Sequence, residues 1–288
     1  MTERKETRWP ESAELEQFRE LQQLAYRCAE YVARELKPGI TELETARRMK
    51  RWLLDHGVDG WFHQPFAWFG DRTVFNGFRG FSFEFFPTRR RLEEGMPFIL
   101  DCAPVKNGIV ADIGYTGCIG RNPILDRLMK DLAEHRRLIL DLVRKRHTLA
   151  EVSRAVDQLC ARQGVEPRHK AYPFSVLAHR VEKLKGPRFN INIGRFGVRS
   201  VAELVRESIA GRWQGWSPLW SSGRRSDHPP TPGLWAVEPH LGFRGVGAKF
   251  EELLVITEND AWWLDDNLPH VRRWRKSTWA ARHKPATA

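Results

Sequence analysis

Four carboxylates sit where carboxylates are costly. Asp101 lies inside PFILDCAPV and Asp112 inside GIVADIGY. Both stretches are apolar, the composition of buried strands, where aspartate is disfavoured and expensive to bury without a partner. One such residue can be a turn or a cap; two in adjoining strands need a shared cation or a shared base. Glu238 ends the apolar run LWAVE, and Glu251 sits inside FEELLVI. Divalent ions would supply the counter-charge that these four groups need.

The spacing tells how the four could meet. Asn107-Gly108 separates the two aspartate strands, and Asn-Gly is a strong two-residue hairpin signal. With that turn, Asp101 lies opposite Gly114 and Asp112 opposite Ala103, so the aspartates are diagonal neighbours on one face, about 7–8 Å apart at Cα. Side chains converging from there could hold two ions about 3.5–4 Å apart. A turn centred on Arg244-Gly245 would set Glu238 directly opposite Glu251, which is destabilising unless something positive lies between them. His179, in the apolar segment YPFSVLAHRVEKL, lies in sequence between the two acidic pairs. Four carboxylates with one imidazole suit Mn, Fe, Co or Zn better than Ca or a thiolate-bound zinc.

The elements that must position these residues follow from the rest of the chain. Apolar residues recur at helical spacing over 13–36: Leu15, Phe18, Leu21, Ala25, Cys28, Val32 and Leu36. Lys37-Pro38-Gly39 stops that helix. Thr41-Glu42-Leu43-Glu44 is a capping box that opens a second helix ending near Gly57. The aromatic, glycine-punctuated residues 61–86 predict strands and turns. Strands are expected over Pro97–Ala103 and Gly108–Gly114, and a long helix over 123–146. Thr148-Leu149-Ala150-Glu151 caps another helix, which ends by Gly164. A short helix is expected over Ser200–Ala210, then strands over Leu234–Glu238, Phe250–Glu258 and Ala261–Leu264.

Composition bounds the rest. With 288 residues, 41% hydrophobic and 29% charged, the chain can bury a substantial core and has no signature of disorder. The polar start MTERKETRWPE predicts no signal peptide, and no apolar run reaches the ~20 residues of a membrane span. Cys28, Cys102, Cys118 and Cys160 are widely spaced without a CxxC pair, as reduced thiols of a cytoplasmic protein would be. The net charge of +11 favours anionic partners, including nucleic acid, or simply a solvated basic surface. The densest basic runs are Arg89–Arg91, 136–147 and 272–283, and no nucleic-acid motif accompanies them.

In these motifs the chain resembles the pita-bread metallopeptidases: methionine aminopeptidase, aminopeptidase P, prolidase and creatinase. The resemblance spans roughly residues 14–265. It rests on the opening helix pair with its PGIT turn, Asp101 and Asp112 in a hairpin, Ala178-His179-Arg180-Val181, Val237-Glu238-Pro239, and Phe250-Glu251 ahead of Thr257. It implies an α+β fold, a curved antiparallel sheet flanked by helices. Residues 1–12 would be a polar tail, 13–270 the catalytic domain, and 271–288 a basic tail. It also implies a dinuclear centre in which Asp112 and Glu251 bridge, Asp101 binds one ion, and His179 and Glu238 complete the other. A bridging hydroxide would attack a peptide or small amide bond, with Glu238 as proton shuttle. A homodimer is a further expectation.

The chain departs from the family at two histidines. Position 186, seven residues after His179, is glycine, and FNGFRGFSFEFFP ahead of Asp101 carries no histidine. In an alternative alignment His179 is that second histidine and Tyr172 takes the ligand position. The missing groups open a second reading, a pita-bread binding protein without catalysis. The segment 187–232 is expected to be an insertion shaping the substrate pocket, with Trp213, Trp216 and Trp220 as walls and Arg224, Arg225, Asp227 and His228 as polar groups. His228, held by the following Pro229-Pro230, is the candidate to replace a missing catalytic histidine.

Overall fold

The computed structural model describes residues 12–78, 83–184 and 191–282. The expected polar start therefore falls almost wholly outside the described residues, as do Gly186 and the first residues of the 187–232 insertion.

Two helices open the chain, α1 (Ser12–Glu35) and α2 (Glu42–Asp55). Thr41 and Glu44 make both halves of the expected capping box, so two backbone N–H groups at the start of α2 are satisfied reciprocally. Four strands follow: β1 (Gly60–Phe69), β2 (Pro97–Lys106), β3 (Ile109–Val110) and β4 (Ile113–Cys118). The second pair of helices is α3 (Pro123–Arg144) and α4 (Leu149–Gln163), the latter capped by Thr148 and Glu151 and ended by left-handed Gly164. Then come β5 (Glu166–Pro167), β6 (Ala178–Val181), β7 (Asn192–Ile193), β8 (Phe196–Gly197), α5 (Val198–Gln214) and β9 (Leu219–Trp220). The chain continues with β10 (Gly233–Val237), β11 (His240–Phe243), β12 (Val246–Lys249), β13 (Glu252–Ile256), β14 (Ala261–Trp263) and α6 (Pro269–Arg282).

The strands form three antiparallel groups. One has the order β3-β2-β1-β8-β7, with β4 also on β2; another runs β14-β13-β10-β6-β9; the third is β12-β11-β5. An isolated bridge between Gly114 and Glu251 links the first group to the second. Buried faces of α1 and α2 pack on β1 to β4, and those of α3 and α4 pack on the second group. Along β10, Leu234 and Ala236 enter the first core, while Trp235 and Val237 enter the second. Burial on both faces is why LWAV is apolar throughout instead of alternating.

Three expectations need correction. Among the described residues of 61–86 there is one strand, and its sequel coils into single helical turns at Gly70–Val74 and Phe83–Phe85. Phe66 and Trp68 of the strand join Phe75, Phe78 and Phe85 beyond it in one buried aromatic cluster. The helix expected over Ser200–Ala210 runs longer at both ends. The basic stretch after 270 is no tail as far as Arg282. It is α6, whose His270 meets Glu252 at 3.0 Å and whose Trp274 indole donates to the Met129 carbonyl at 2.6 Å. Much of the basic charge holds helices in place: Arg136 pairs with Glu252 and Asp266, Arg144 with Asp260, and Arg272 with Glu30. Among the described residues no helix is long and apolar enough to cross a membrane.

Candidate metal centre and active site

Two tight turns set the register of the acidic strands. Asn107 and Gly108 take φ of 55° and 81°, Arg244 and Gly245 take 47° and 77°, and in both turns the positive φ continues the right-handed twist of the hairpin. Asp101 is paired with Gly114, as the Asn-Gly turn requires. His240 pairs with Lys249 and Val237 with Glu252, so Glu238 and Glu251 are directly opposed on either side of a break in the ladder.

The two halves of the molecule then repeat one plan. In the first, Asp112 precedes β4, Asp101 lies on β2 and His63 on β1, three neighbouring strands. In the second, Glu251 precedes β13, Glu238 follows β10, and His179 lies on β6, again neighbours. The Gly114–Glu251 bridge joins the halves, and the Tyr26 hydroxyl fastens it by donating to the Glu251 carbonyl at 2.6 Å and lying 3.3 Å from that of Gly114.

Asp112 is central. His63 Nε2 lies 3.2 Å from its Oδ1 and His179 Nε2 3.2 Å from its Oδ2. His63 Nε2 is also 3.3 Å from Asp101 Oδ1, and His179 Nε2 is 3.9 Å from Glu251 Oε1. Two donor triads sharing Asp112 result, His63–Asp101–Asp112 and Asp112–His179–Glu251, all five residues buried. In both histidines Nδ1 faces a backbone carbonyl, that of Gln64 at 3.1 Å and that of Arg180 at 3.2 Å. An Nδ1–H committed to a carbonyl leaves a lone pair on Nε2 aimed at carboxylate oxygens, an arrangement that needs a proton or a cation between them. Phe62 stacks on the His179 ring at 5.2 Å and holds its plane.

Lys249 is the group that reasoning from the sequence missed. Its ammonium donates to Asp101 Oδ2 at 2.6 Å, to Glu238 Oε2 at 2.9 Å and to Glu251 Oε2 at 2.9 Å. The premise that the carboxylates lack a protein counter-charge is therefore corrected. Lys249 shares a strand face with Glu251, two residues on, and that alternation was legible in KFE. Its stem runs over Gly114, where a Cβ would stand 2.5 Å from Lys249 Cε. Thr116 Oγ1 accepts from the Lys249 N–H and donates to its carbonyl, and Nζ lies 5.0 Å from the centroid of the Tyr172 ring.

The electrostatics follow from crowding. Burial pushes the Glu251 and Glu238 carboxyls upward, with Lys249 pulling both back in part. Burial also acts to raise Asp112, but His63 and His179 outweigh it and hold that carboxyl well below the usual range. Burial disfavours a charged His63, yet Asp112 and Asp101 beside it lift it to about 9. Lys249 is kept charged in the same way, its three carboxylates overcoming the cost of burial.

The structure brings together Asp101, Asp112, His179, Glu238 and Glu251, and adds His63 and Lys249. His179, not Tyr172, stands among the carboxylates; Tyr172 is beside Lys249 and 3.4 Å from His240 Nδ1. His63 supplies an imidazole ahead of Asp101, but from a strand far upstream of the segment where one was sought. His228 is not brought in. Its Nε2 accepts the Ser217 N–H at 2.9 Å, its Nδ1 donates to the Pro229 carbonyl at 2.9 Å, and its own carbonyl takes the Leu149 N–H, so it braces its loop against α4. Of the expected tryptophan walls, Trp220 is buried against Trp235 and Trp213 is 87% exposed.

The sequence pattern of metallopeptidase family M24 matches residues 16–258. This chain belongs to that family. Methionine aminopeptidase A of Synechocystis sp. is 25% identical to the M24 chain over 231 residues, 74% of this chain and 87% of that one. Among solved structures, X-Pro aminopeptidase from Thermotoga maritima matches with a TM-score of 0.64 at 16% identity, over 89% of this chain and 62% of that one. Dipeptidase PepE from Mycobacterium ulcerans gives 0.63 at 20% identity, over 90% and 59%. The M24 chain thus spans about three fifths of the length of those two proteins. Their likeness shows the fold, and it is the α+β pita-bread fold expected from the sequence.

The donors fit a metal ion: buried carboxylates and imidazoles converge, and His179 Nε2 faces Asp112 and Glu251. The Lys249 ammonium holds one oxygen of each of Asp101, Glu238 and Glu251.

Proposed function

We propose that this chain is a metal-dependent hydrolase of peptide bonds, acting on short peptides or small amides at the cluster around Asp112. The observation that carries the reading is the pair of buried histidine–carboxylate triads sharing Asp112. A divalent ion of the Mn, Fe, Co or Zn type, held by Asp112, His179 and Glu251, would lower the pKa of a water and polarise the scissile carbonyl. The chain's own groups do the rest. Asp112 keeps the two halves' donors in register. Glu238, raised by burial, can take a proton on Oε1, the oxygen that Lys249 does not hold, and return it to the leaving amine. His63, lifted to about 9, can donate from Nε2 to Asp101 and Asp112 and so hold the two aspartates in place.

The relatives' names support a peptide substrate: methionine aminopeptidase, X-Pro aminopeptidase and dipeptidase. The test is a panel of dipeptides, Xaa-Pro peptides and small amides, assayed with Mn, Fe, Co and Zn added singly. Cleavage should occur and should vanish in Asp112→Ala, which should also lose its metal. No cleavage by folded, metal-loaded protein, or full activity in Asp112→Ala, would overturn the reading.

A further inference from the structure

Lys249 has no part in that hydrolysis, yet it is the most deliberately housed residue of the site. A lysine 1% exposed is rare, and this one reaches the cluster through a channel made for it. Gly114 is the floor: any side chain there would meet Lys249 Cε at 2.5 Å and Cδ at 3.1 Å. Thr116, two residues on, binds both backbone groups of Lys249 at 3.0 and 2.7 Å. The Tyr172 ring lies 5.0 Å from the ammonium. The three donors of the ammonium go to three carboxylates from both halves, Asp101 from β2, and Glu238 and Glu251 from the β10–β13 side.

We propose that Lys249 is a built-in cation that stands in for one metal ion, so that this chain binds a single divalent ion where the family resemblance implies two. The inference rests on the metal-dependent reading above. It follows from counting oxygens. Lys249 holds Oδ2 of Asp101, Oε2 of Glu238 and Oε2 of Glu251, and His63 Nε2 lies at hydrogen-bonding distance from Oδ1 of Asp101 and Oδ1 of Asp112, so a second ion beside Asp101 would have to displace one of these two basic groups. Asp112 Oδ2, Glu251 Oε1 and His179 Nε2 stay grouped on the other side, and they hold the remaining ion. An ammonium differs from an ion in what it does as well as in charge. It donates hydrogen bonds and cannot coordinate a water, so the site keeps one Lewis acid and exchanges the second for a fixed donor.

The test is a metal count. Protein purified in Mn(II) and freed of excess by desalting should hold one Mn per chain by elemental analysis. Its electron paramagnetic resonance spectrum should be that of an isolated Mn(II), without exchange coupling. Lys249→Met should raise the count to two and introduce coupling. Gly114→Ala, which keeps the lysine but obstructs its channel, should also raise the count above one and covers the case in which Lys249→Met does not fold. His179→Ala should lose the single ion. Two ions in the wild type, or one ion unchanged in both Lys249→Met and Gly114→Ala, would overturn the substitution while leaving the hydrolase reading intact. No bound ion in the wild type would overturn both.

Discussion

The metal-free protein offers a sharp perturbation, Lys249→Met. Methionine nearly matches the lysine stem in length and volume, so packing over Gly114 is kept and only the ammonium is removed. Three charge-assisted hydrogen bonds of 2.6, 2.9 and 2.9 Å disappear, and Glu238 and Glu251 again oppose each other with nothing between them. Removing one partner of a buried ion pair costs about 3–5 kcal/mol, because the other is stranded. Here three are stranded, but they can share protons, which keeps the loss near the upper end of that range and no higher. The sign with pH is fixed. Carboxyls raised in the folded state by burial and mutual repulsion stabilise it when protonated and destabilise it as pH rises through their folded pKa. The deficit should therefore be largest at pH 8 and shrink toward pH 5. Urea unfolding of both proteins in a chelator, at pH 8 and pH 5, measures it. A variant as stable as wild type at pH 8, or a deficit that grows on acidification, would refute the view that Lys249 is the cluster's internal counter-ion.

Other expectations can be checked the same way. Tyr26→Phe removes a buried donor to the Glu251 carbonyl and should cost about 1–3 kcal/mol in thermal unfolding; an unshifted melt would show that the bridge does not depend on it. His228→Ala strands the buried Ser217 N–H, so it should lower stability by about 1–3 kcal/mol and leave metal content and turnover unchanged; a large fall in turnover in folded protein would return His228 to the active site. His135, buried and held by Gln163, is pushed from 6.5 down to about 4, so the unfolded chain binds its proton first. Stability should fall by about 3 kcal/mol as pH drops across that window, and His135→Leu should flatten the slope; an unchanged slope would refute the assignment.

How much was legible in the sequence depended on how local the cause was. The pairing of Asp101 with Gly114, and the opposition of Glu238 and Glu251, were readable because a two-residue turn sets the register of everything beyond it. The helices announced themselves through capping boxes at Thr41 and Thr148 and an uninterrupted apolar stripe in α1. His63 was not readable. Nothing local distinguishes a histidine in GWFHQPF, and its role comes from β1 lying beside β2, across a long excursion that sequence patterns do not count. Lys249 failed for another reason. A lysine next to glutamates is ordinarily solvated, and only the glycine at 114, on a different hairpin, makes room to bury it. The helix at 269–282 was not legible because Arg272 and Arg273 answer acids on α1 and α3, Glu30 and Asp126, which lie far off in sequence.

The Gly114–Glu251 bridge has a consequence for assembly. His63, Asp101 and Asp112 belong to the part of the chain before α3, and His179, Glu238 and Glu251 to the part after it. The two parts meet at the cluster through the Gly114–Glu251 bridge, the hydrogen bonds of the Thr116 hydroxyl to the Lys249 backbone, the Lys249 ammonium and the shared Asp112. The cluster is therefore a clasp as well as a site: whatever cation it holds reports that the halves have closed in the correct alignment. A shift of either sheet by a single residue would turn its donors to the opposite face. Ion binding would then be linked to that alignment, adding stability to the aligned chains alone.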